Sequence, residues 1–190
     1  MKAIKHTVLS DTKWLKLVEA EAAIKGRVKK WTYCSRRDDF EAAIVAPDAV
    51  VIVPFVKHAE GTRLLLVREY RMPINQTMIA LPAGLVDPGE TAESIAEREL
   101  LEETGYAVTA VLDKSRPTLF PSAGLTDECF QFIFVEAEYR GPAALEASEE
   151  IELVPVTIEG LRELMSEEPA FCGRTWPLCY QYLQANKFPI

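Results

Sequence analysis

The sequence predicts an α+β fold, and three features indicate it. Apolar runs of strand length occur at Ala49–Val56 and Cys129–Glu138. A glutamate-rich stretch between them carries its own helix start and stop signals, and alternating segments near the N-terminus flank Lys25-Gly26. Strands and helices that are mixed along one chain in this way are typical of a sheet packed against helices.

The N-terminal segments form the first predicted unit. KWLKLVEAEA and the later RVKKWTYCSR both alternate between apolar and polar residues, and a turn at Lys25-Gly26 would join them as an antiparallel hairpin. Pro47-Asp48 marks the passage into the main domain. We therefore expect an N-terminal β subdomain over residues 1–46 and a larger domain over 47–190.

Further elements follow in the larger domain. Strands are predicted at Arg63–Val67, Ala107–Leu112 and Ile151–Val156, and helices at Ile158–Met165 and Trp176–Asn186.

Composition and charge limit the classes of function. The chain has 190 residues, 48% hydrophobic content and a net charge of −8, which argues against general affinity for nucleic acid or for an anionic membrane. No apolar run is long enough to span a bilayer, and MKAIKHT lacks the apolar core of a secretory signal. The four cysteines have no metal-ligand spacing, so we expect reduced thiols and a cytoplasmic location.

The glutamate-rich helix is the most informative segment. Thr91 is suited to the N-cap, and Gly105 is suited to the left-handed residue that ends the helix. At about 100° per residue, Glu99, Glu102 and Glu103 share roughly a third of the circumference. They share it with Ala92, Ile95 and Ala96.

Carboxylates on an apolar face point to a cation. A solvated face is the usual explanation of a glutamate-rich helix, but such a face should lie opposite the apolar residues. Three inward carboxylates repel one another and lose hydration unless a cation lies between them. Hard oxygen ligands of this kind suit Mg²⁺, with Mn²⁺ as the second possibility.

The spacing of this segment resembles the Nudix box. Gly84, five residues, Glu90, seven residues and then Arg98-Glu99-Leu100-x-Glu102-Glu103-x-Gly105 match its pattern. Tyr106 departs from it, because the family usually has an aliphatic residue there. The resemblance implies an α/β/α sandwich with a mixed sheet between helices and an added N-terminal antiparallel sheet.

The resemblance also implies roles for the box residues. Glu99, Glu102, Glu103 and the carbonyl of Ala83 would bind the metal, and Glu102 would be essential to catalysis. Arg98 would orient the glutamates, and Glu90 would tie the loop to the helix. Gly84, Glu90 and Gly105 would be structural.

The N-terminal segment is similar to that of the ADP-sugar diphosphatase branch of the family. By this resemblance Trp14 and Trp31 would hold the adenine, one from each subunit of a homodimer formed through the N-terminal subdomain. Taken without the resemblance, the two tryptophans would simply pack in a core. Arg36 matches an arginine that contacts the substrate.

Other positions bear on the substrate. Arg71 matches an arginine on the phosphates or terminal sugar, and Leu85 is a further expected substrate contact. Pro121 lies sixteen residues beyond Gly105, a spacing that marks the members that hydrolyse ADP-ribose. Ala80 replaces the glutamate that is usual in the branch, which leaves the sugar preference open.

The resemblance implies that the general base comes from the acidic loop at 143–150. Spacing before the next strand indicates Glu150, then Glu149, with Glu128 as a weaker alternative. The resulting expectation is metal-dependent hydrolysis of ADP-ribose to AMP and ribose 5-phosphate. The alternatives are a diphosphatase for another nucleoside diphosphate sugar such as GDP-mannose or a dinucleotide, and a non-catalytic metabolite sensor.

Overall fold

Ten strands and three α-helices form in the computed structural model, which describes residues 4–145, 147 and 149–190. In chain order they are β1 (Ile4–Asp11), β2 (Lys16–Ile24), β3 (Arg27–Ser35), β4 (Ala49–Val56), β5 (Arg63–Arg71), β6 (Gln76–Ala80), β7 (Ala83–Leu85), α1 (Ala92–Thr104), β8 (Tyr106–Lys114), β9 (Phe130–Tyr139), β10 (Ile151–Val156), α2 (Ile158–Glu167) and α3 (Thr175–Ala185).

The first of two structural units contains the described residues up to Asp48 and the loop Pro117–Phe130. Its sheet is antiparallel in the order β1-β2-β3. Lys25 and Gly26 both have positive φ, 51° and 73°, which is the backbone of the tight turn that matches the twist of a hairpin. The predicted hairpin is therefore present. Strand β1 was not anticipated, because it is exposed along most of its length and has little hydrophobic alternation.

The second unit contains residues Ala49–Arg116 and Gln131–Ile190. Its strands follow the order β10-β5-β4-β9-β8, with β6 added to β5 and β7 added to β4. The expectation of a mixed sheet with helices, together with a separate N-terminal antiparallel sheet, is confirmed. Strands β6 and β7 were not predicted, since each is five residues or shorter.

The core of the second unit lies on both faces of β4, which is buried throughout. On one face Val50 and Ile52 pack in a cluster with Ile95 and Leu100 of α1. On the other face Phe55 meets Tyr182 of α3 edge-on, with 5.7 Å between ring centroids. Helices therefore cover both faces of the sheet, as a sandwich requires.

Tyr106 replaces the aliphatic residue of the box pattern without disturbing the packing. Its ring is partly buried against the α1 cluster and contacts Tyr139 at 5.3 Å between centroids. Among the described residues, no helix is long and apolar enough to cross a bilayer.

Candidate active site

Helix α1 begins and ends where its local chemistry directs. The Thr91 side chain accepts a hydrogen bond from the backbone N–H of Ser94, and the Ser94 side chain accepts one from the backbone N–H of Thr91. This reciprocal pair satisfies two donors that the helix would otherwise leave unpaired. At the other end Gly105 takes a left-handed φ of 76° and its N–H bonds to the Leu101 carbonyl. Both predicted boundaries are confirmed.

Gly84 allows β7 to lie directly against α1. A Cβ atom built at Gly84 would overlap the side chain of Glu99. The same strand pairs with β4 through Val50 opposite Gly84. The first glycine of the box therefore has a steric reason: only a residue without a side chain leaves room for the Glu99 carboxylate.

The three glutamates of α1 differ in burial. The Glu103 residue is only 7% exposed, and the Glu99 side chain is 15% exposed. The Glu102 side chain is 47% exposed. The expectation of three inward carboxylates is therefore corrected for Glu102, which lies at the rim of the site. The sector of α1 that the three glutamates share is wide enough to reach from the core to the solvent boundary.

Glu103 is the least solvated carboxylate of this site. It accepts a hydrogen bond from the backbone N–H of Ala83, but its Oε2 atom is buried with no hydrogen-bond partner in the described part of the chain. Burial first, and then the charges of Glu99, Glu69 and Glu149, raise the pKa of Glu103 to about 9. An unpaired buried oxygen among repelling carboxylates is what a bound cation would relieve.

Arg98 gathers the box carboxylates on the solvent side. Its Nη1 lies 2.8 Å from Oε1 of Glu99 and 3.3 Å from Oε2 of Glu102. Its Nε and Nη2 each lie 3.3 Å from Glu90, which also accepts from the N–H of Asp87. Hydrogen bonds from Arg98 lower the pKa of Glu90. The loop before α1 is thus tied to the helix through one guanidinium.

The donor set fits a hard divalent cation. Oxygen ligands from Glu99, Glu102 and Glu103 are the chemistry that Mg²⁺ and Mn²⁺ prefer. Within the described ranges, no three carboxylate, imidazole or thiol groups already stand at metal-site distances. In this structure Glu99 and Glu102 share the Arg98 guanidinium as their cation.

Glu69 belongs to this cluster, and the sequence analysis missed it. Strand alternation places it on the same face of β5 as Leu65, which packs in the α1 cluster. Its side chain is 13% exposed and its pKa is raised, first by burial. Charge on Glu69 also raises the pKa of Glu103. Strand alternation from Leu65 identifies Glu69 only once the packing of Leu65 against α1 is known.

The candidate bases differ in surroundings. The charge of Glu149 raises the pKa values of Glu69, Glu99 and Glu103, so its carboxylate lies near theirs. Glu150 is exposed, and its carbonyl accepts a hydrogen bond of 3.3 Å from the N–H of Tyr70.

The acidic loop is described only in part, and the third candidate base belongs to the first unit. Glu146 and Ser148 of the predicted acidic loop lie outside the described residues. Glu128 belongs to the first unit, where its carboxylate pairs with Arg36 at 3.2 Å. That ion pair occupies Glu128 with a cation, which does not suit a proton acceptor.

Both tryptophans are exposed in the first unit. Trp14 is 69% exposed and Trp31 is 54% exposed, so neither packs in a core. The Trp31 indole nitrogen donates to the Gly124 carbonyl at 2.9 Å, and Lys13 lies over the Trp14 ring at 4.2 Å. Among the described ring contacts the two indoles do not pair with each other. Lys13 covers one face of the Trp14 ring, and both indoles remain largely exposed to solvent.

The remaining predicted substrate contacts lie in different units. In the first unit, Arg36 also approaches the Trp14 carbonyl at 3.4 Å, and Pro121 is exposed. In the second unit, Arg71 contacts Glu69 and Leu85 is half exposed on β7. Ala80 is buried opposite Val67 of β5, so the position that departs from the branch pattern does not reach solvent.

Comparison with known proteins supports one family. A family model described as the NUDIX domain matches residues 46–170. An uncharacterised Nudix hydrolase of Schizosaccharomyces pombe is 33% identical over 160 residues, which cover 80% of this chain and 76% of that protein. An ADP-ribose pyrophosphatase of Bacillus subtilis is 31% identical over 143 residues, 74% of each chain.

A solved structure supports the fold. The crystal structure of an ADP compounds hydrolase superposes with a TM-score of 0.67 and 18% identity, and the match covers 97% of this chain and 95% of that one. At this identity the likeness concerns the fold alone. The matched family model, the relatives and the box residues on α1 together establish that this chain belongs to the Nudix family.

Proposed function

We propose that this protein hydrolyses the diphosphate of ADP-ribose, and of related ADP-sugars, to AMP and ribose 5-phosphate. The observation that carries the proposal is the pair of carboxylates on the inner side of α1. Glu99 lies against Gly84, and one oxygen of the buried Glu103 has no partner among the described residues. The relative from Bacillus subtilis with an ADP-ribose pyrophosphatase name supports the choice of substrate class. The spacing of Pro121 from Gly105 supports it as well.

The metal would be held by Glu99, Glu102, Glu103 and the carbonyl of Ala83. Mg²⁺ bound there, with Mn²⁺ as a substitute, would neutralise diphosphate charge and acidify a water molecule. Arg98 would keep Glu99 and Glu102 directed toward this position through its hydrogen bonds to both.

Glu149 is the stronger candidate for the base that takes a proton from the attacking water. It lies two residues before Ile151 and four before Leu153, and Leu153 packs against the α1 cluster. The bond from Tyr70 N–H to the Glu150 carbonyl continues the pairing with β5, so alternation directs Glu149 to the α1 side and Glu150 away from it. The electrostatic effect of Glu149 on Glu99 and Glu103 supports this choice.

The nucleoside would be bound by the exposed aromatic residues of the N-terminal unit. Trp14 and Trp31 offer stacking faces for adenine, with Arg36, Arg71 and Leu85 as the other substrate contacts. A homodimer formed through the N-terminal sheet would supply one tryptophan from each subunit. The exposure of nearly all of β1, and of most of β3, is consistent with a covering partner. We propose a cytoplasmic location, because the four cysteines are free thiols.

One observation favours a second candidate. Ala80 provides no carboxylate where the branch has one, so a different nucleoside diphosphate sugar, such as GDP-mannose, is the alternative substrate. Stacking on the tryptophans would also accept guanine, since every base has an aromatic face.

The test measures release of mononucleotide from ADP-ribose, ADP-glucose, GDP-mannose, NADH and diadenosine compounds, with Mg²⁺ and with EDTA. We expect AMP from ADP-ribose only when metal is present. Glu102→Gln should abolish turnover with the fold retained, whereas Glu97→Gln on the exposed side of the same helix should not. Cleavage of guanine compounds alone would contradict the adenine assignment, and an active Glu102→Gln variant would contradict the metal assignment.

A further inference from the structure

Glu69 and Arg71 form an ion pair at the end of β5. Nε and Nη2 of Arg71 both lie 2.8 Å from the same oxygen of Glu69, Oε1. Alternation puts both side chains on the face of β5 that carries Leu65 toward α1. The pair therefore lies on the same side of the sheet as the carboxylates of Glu99 and Glu103.

The two partners differ in exposure. The Glu69 side chain is 13% exposed, and the Arg71 side chain is 47% exposed. A buried carboxylate needs a cation or hydrogen bonds, and Arg71 supplies both from the solvent side. Since two of its nitrogens bind one oxygen, the other N–H donors of the guanidinium stay available for a second ligand.

The surroundings of Arg71 explain why it needs an anchor. Carboxylates of Glu103 and Glu149 lie near Glu69, since Glu69 raises the pKa of Glu103 and Glu149 raises the pKa of Glu69. The charge of Arg174 lowers the pKa of Glu69, after the larger effect of Arg71. A long, flexible arginine among several carboxylates could pair with any of them and block a cation. A single buried partner on its own strand holds Arg71 at the rim of the carboxylate cluster.

We infer that Glu69 is a positioning residue that fixes the guanidinium of Arg71 at the rim of the carboxylate cluster, where it binds a phosphate oxygen of the substrate diphosphate. This inference rests on the proposed function, because it assigns a residue to the same site. Glu69 acts through Arg71 and does not itself contact substrate or metal. A planar fork held by one carboxylate is well suited to recognise phosphate oxygens.

The opposite face of β5 and of its neighbour β10 offers a control. Arg68 of β5 pairs with Glu152 of β10 at 2.5 Å, its direct neighbour in the strand register, and also with Glu168 at 2.5 Å. Glu152→Gln removes a carboxylate from an arginine of β5, as Glu69→Gln does, but away from α1. It should leave both turnover and substrate binding unchanged.

The test is a double-mutant cycle of Glu69→Gln and Arg71→Ala. Measurements are kcat, KM, the Mg²⁺ concentration for half-maximal rate, and the Kd of ADP-ribose in EDTA, where no hydrolysis occurs. We expect Glu69→Gln to raise KM and Kd by about tenfold, with kcat and the Mg²⁺ requirement nearly unchanged. In the Arg71→Ala background, Glu69→Gln should have no further effect.

Two results would overturn the inference. Independent, multiplying effects of the two substitutions would show that Glu69 does not act through Arg71. A shifted Mg²⁺ requirement with unchanged Kd would make Glu69 a metal ligand. If another compound of the substrate panel is the one cleaved, the cycle is measured with that compound. A wild-type protein that cleaves none of the panel refutes the proposed function, whereas an additive cycle with normal turnover refutes only the role of Glu69.

Discussion

The indole nitrogen of Trp31 donates a hydrogen bond of 2.9 Å to the carbonyl oxygen of Gly124. The bond joins β3 to the loop Pro117–Phe130 within the first unit. It fixes the edge of the ring while leaving 54% of the residue exposed. An aromatic ring that is held at its edge and open at its face is prepared for stacking rather than for core packing.

Replacement of Trp31 should therefore weaken substrate binding, and more strongly when the new residue has no aromatic ring. Stacking of a base on an aromatic ring contributes about 1–3 kcal/mol, so Trp31→Ala should raise KM for ADP-ribose by about tenfold or more with little change in kcat. Trp31→Phe keeps a stacking face but loses the hydrogen bond to Gly124. Its KM should lie between those of the wild type and Trp31→Ala. Steady-state kinetics with Val28→Ala, another exposed residue of β3, provides the control. Equal effects of the Ala and Phe variants would argue against stacking.

Gly84 should not tolerate even the smallest side chain. A Cβ there would overlap Glu99, so Gly84→Ala must displace either β7 or that carboxylate. A displacement of about 1 Å at a catalytic group can lower the rate by about 100-fold, and we expect a loss of at least that size in kcat. The Mg²⁺ requirement should rise as well.

A second glycine variant controls for general disruption. Gly160 lies in the first turn of α2, where an added Cβ meets only ordinary contacts. Gly160→Ala should retain activity and gain up to about 1 kcal/mol in stability, because alanine loses less backbone entropy than glycine in a helix. Full activity in Gly84→Ala would refute the steric role of the first box glycine.

Glu103 should make the metal-free protein less stable as the pH rises. Its pKa is raised from 4.5 to about 9 in the fold, so below pH 4.5 it is protonated in both the folded and the unfolded chain. Between these values the unfolded chain releases the proton and the folded chain retains it. The free energy of unfolding therefore falls by up to about 1.4 kcal/mol per pH unit from this group.

Glu103→Gln removes this dependence. Thermal unfolding in EDTA between pH 5 and 9 should show a shallower loss of stability for Glu103→Gln than for wild type, and a higher Tm for the variant at pH 8. Added Mg²⁺ should raise the Tm of the wild type and have little effect on the variant, since a neutral amide replaces one of the anionic metal ligands. Glu97→Gln, on the exposed side of α1, should behave as wild type. Parallel pH curves for wild type and Glu103→Gln would contradict the burial argument.

Elements of this fold can be predicted from the sequence where the residues that determine them are local. Strand β4 and strand β10 have the predicted bounds because continuous apolar character or turn residues mark both of their ends. Thr91 and Gly105 act within one helical turn, so their neighbours suffice to identify them. The degree of burial of Glu102 could not be predicted, because it depends on how far the core extends beneath the helix.

Non-local relationships were harder to foresee. Glu69 is buried because β5 passes beside α1, and its own neighbours Arg68 and Tyr70 give no indication of this. Strand β1 is recognisable through its pairing with β2 and has few apolar residues of its own to bury. The choice between Glu149 and Glu150 likewise required the pairing of Tyr70 N–H with the Glu150 carbonyl.

That choice leads to a sharp comparison of adjacent residues. Glu149→Gln should lower kcat by about 10²–10⁴-fold, the contribution of a positioned general base. KM for ADP-ribose should change little, because the loss concerns proton transfer and not substrate binding. Glu150→Gln should leave kcat within about threefold of wild type, since its side chain is exposed and its backbone carbonyl is unaffected by the substitution. Steady-state rates at saturating Mg²⁺ decide the question, and the reverse order of effects would assign the base to Glu150.

Glu128→Gln should mainly release Arg36, so a rise in KM without a loss of kcat would exclude Glu128 as the base.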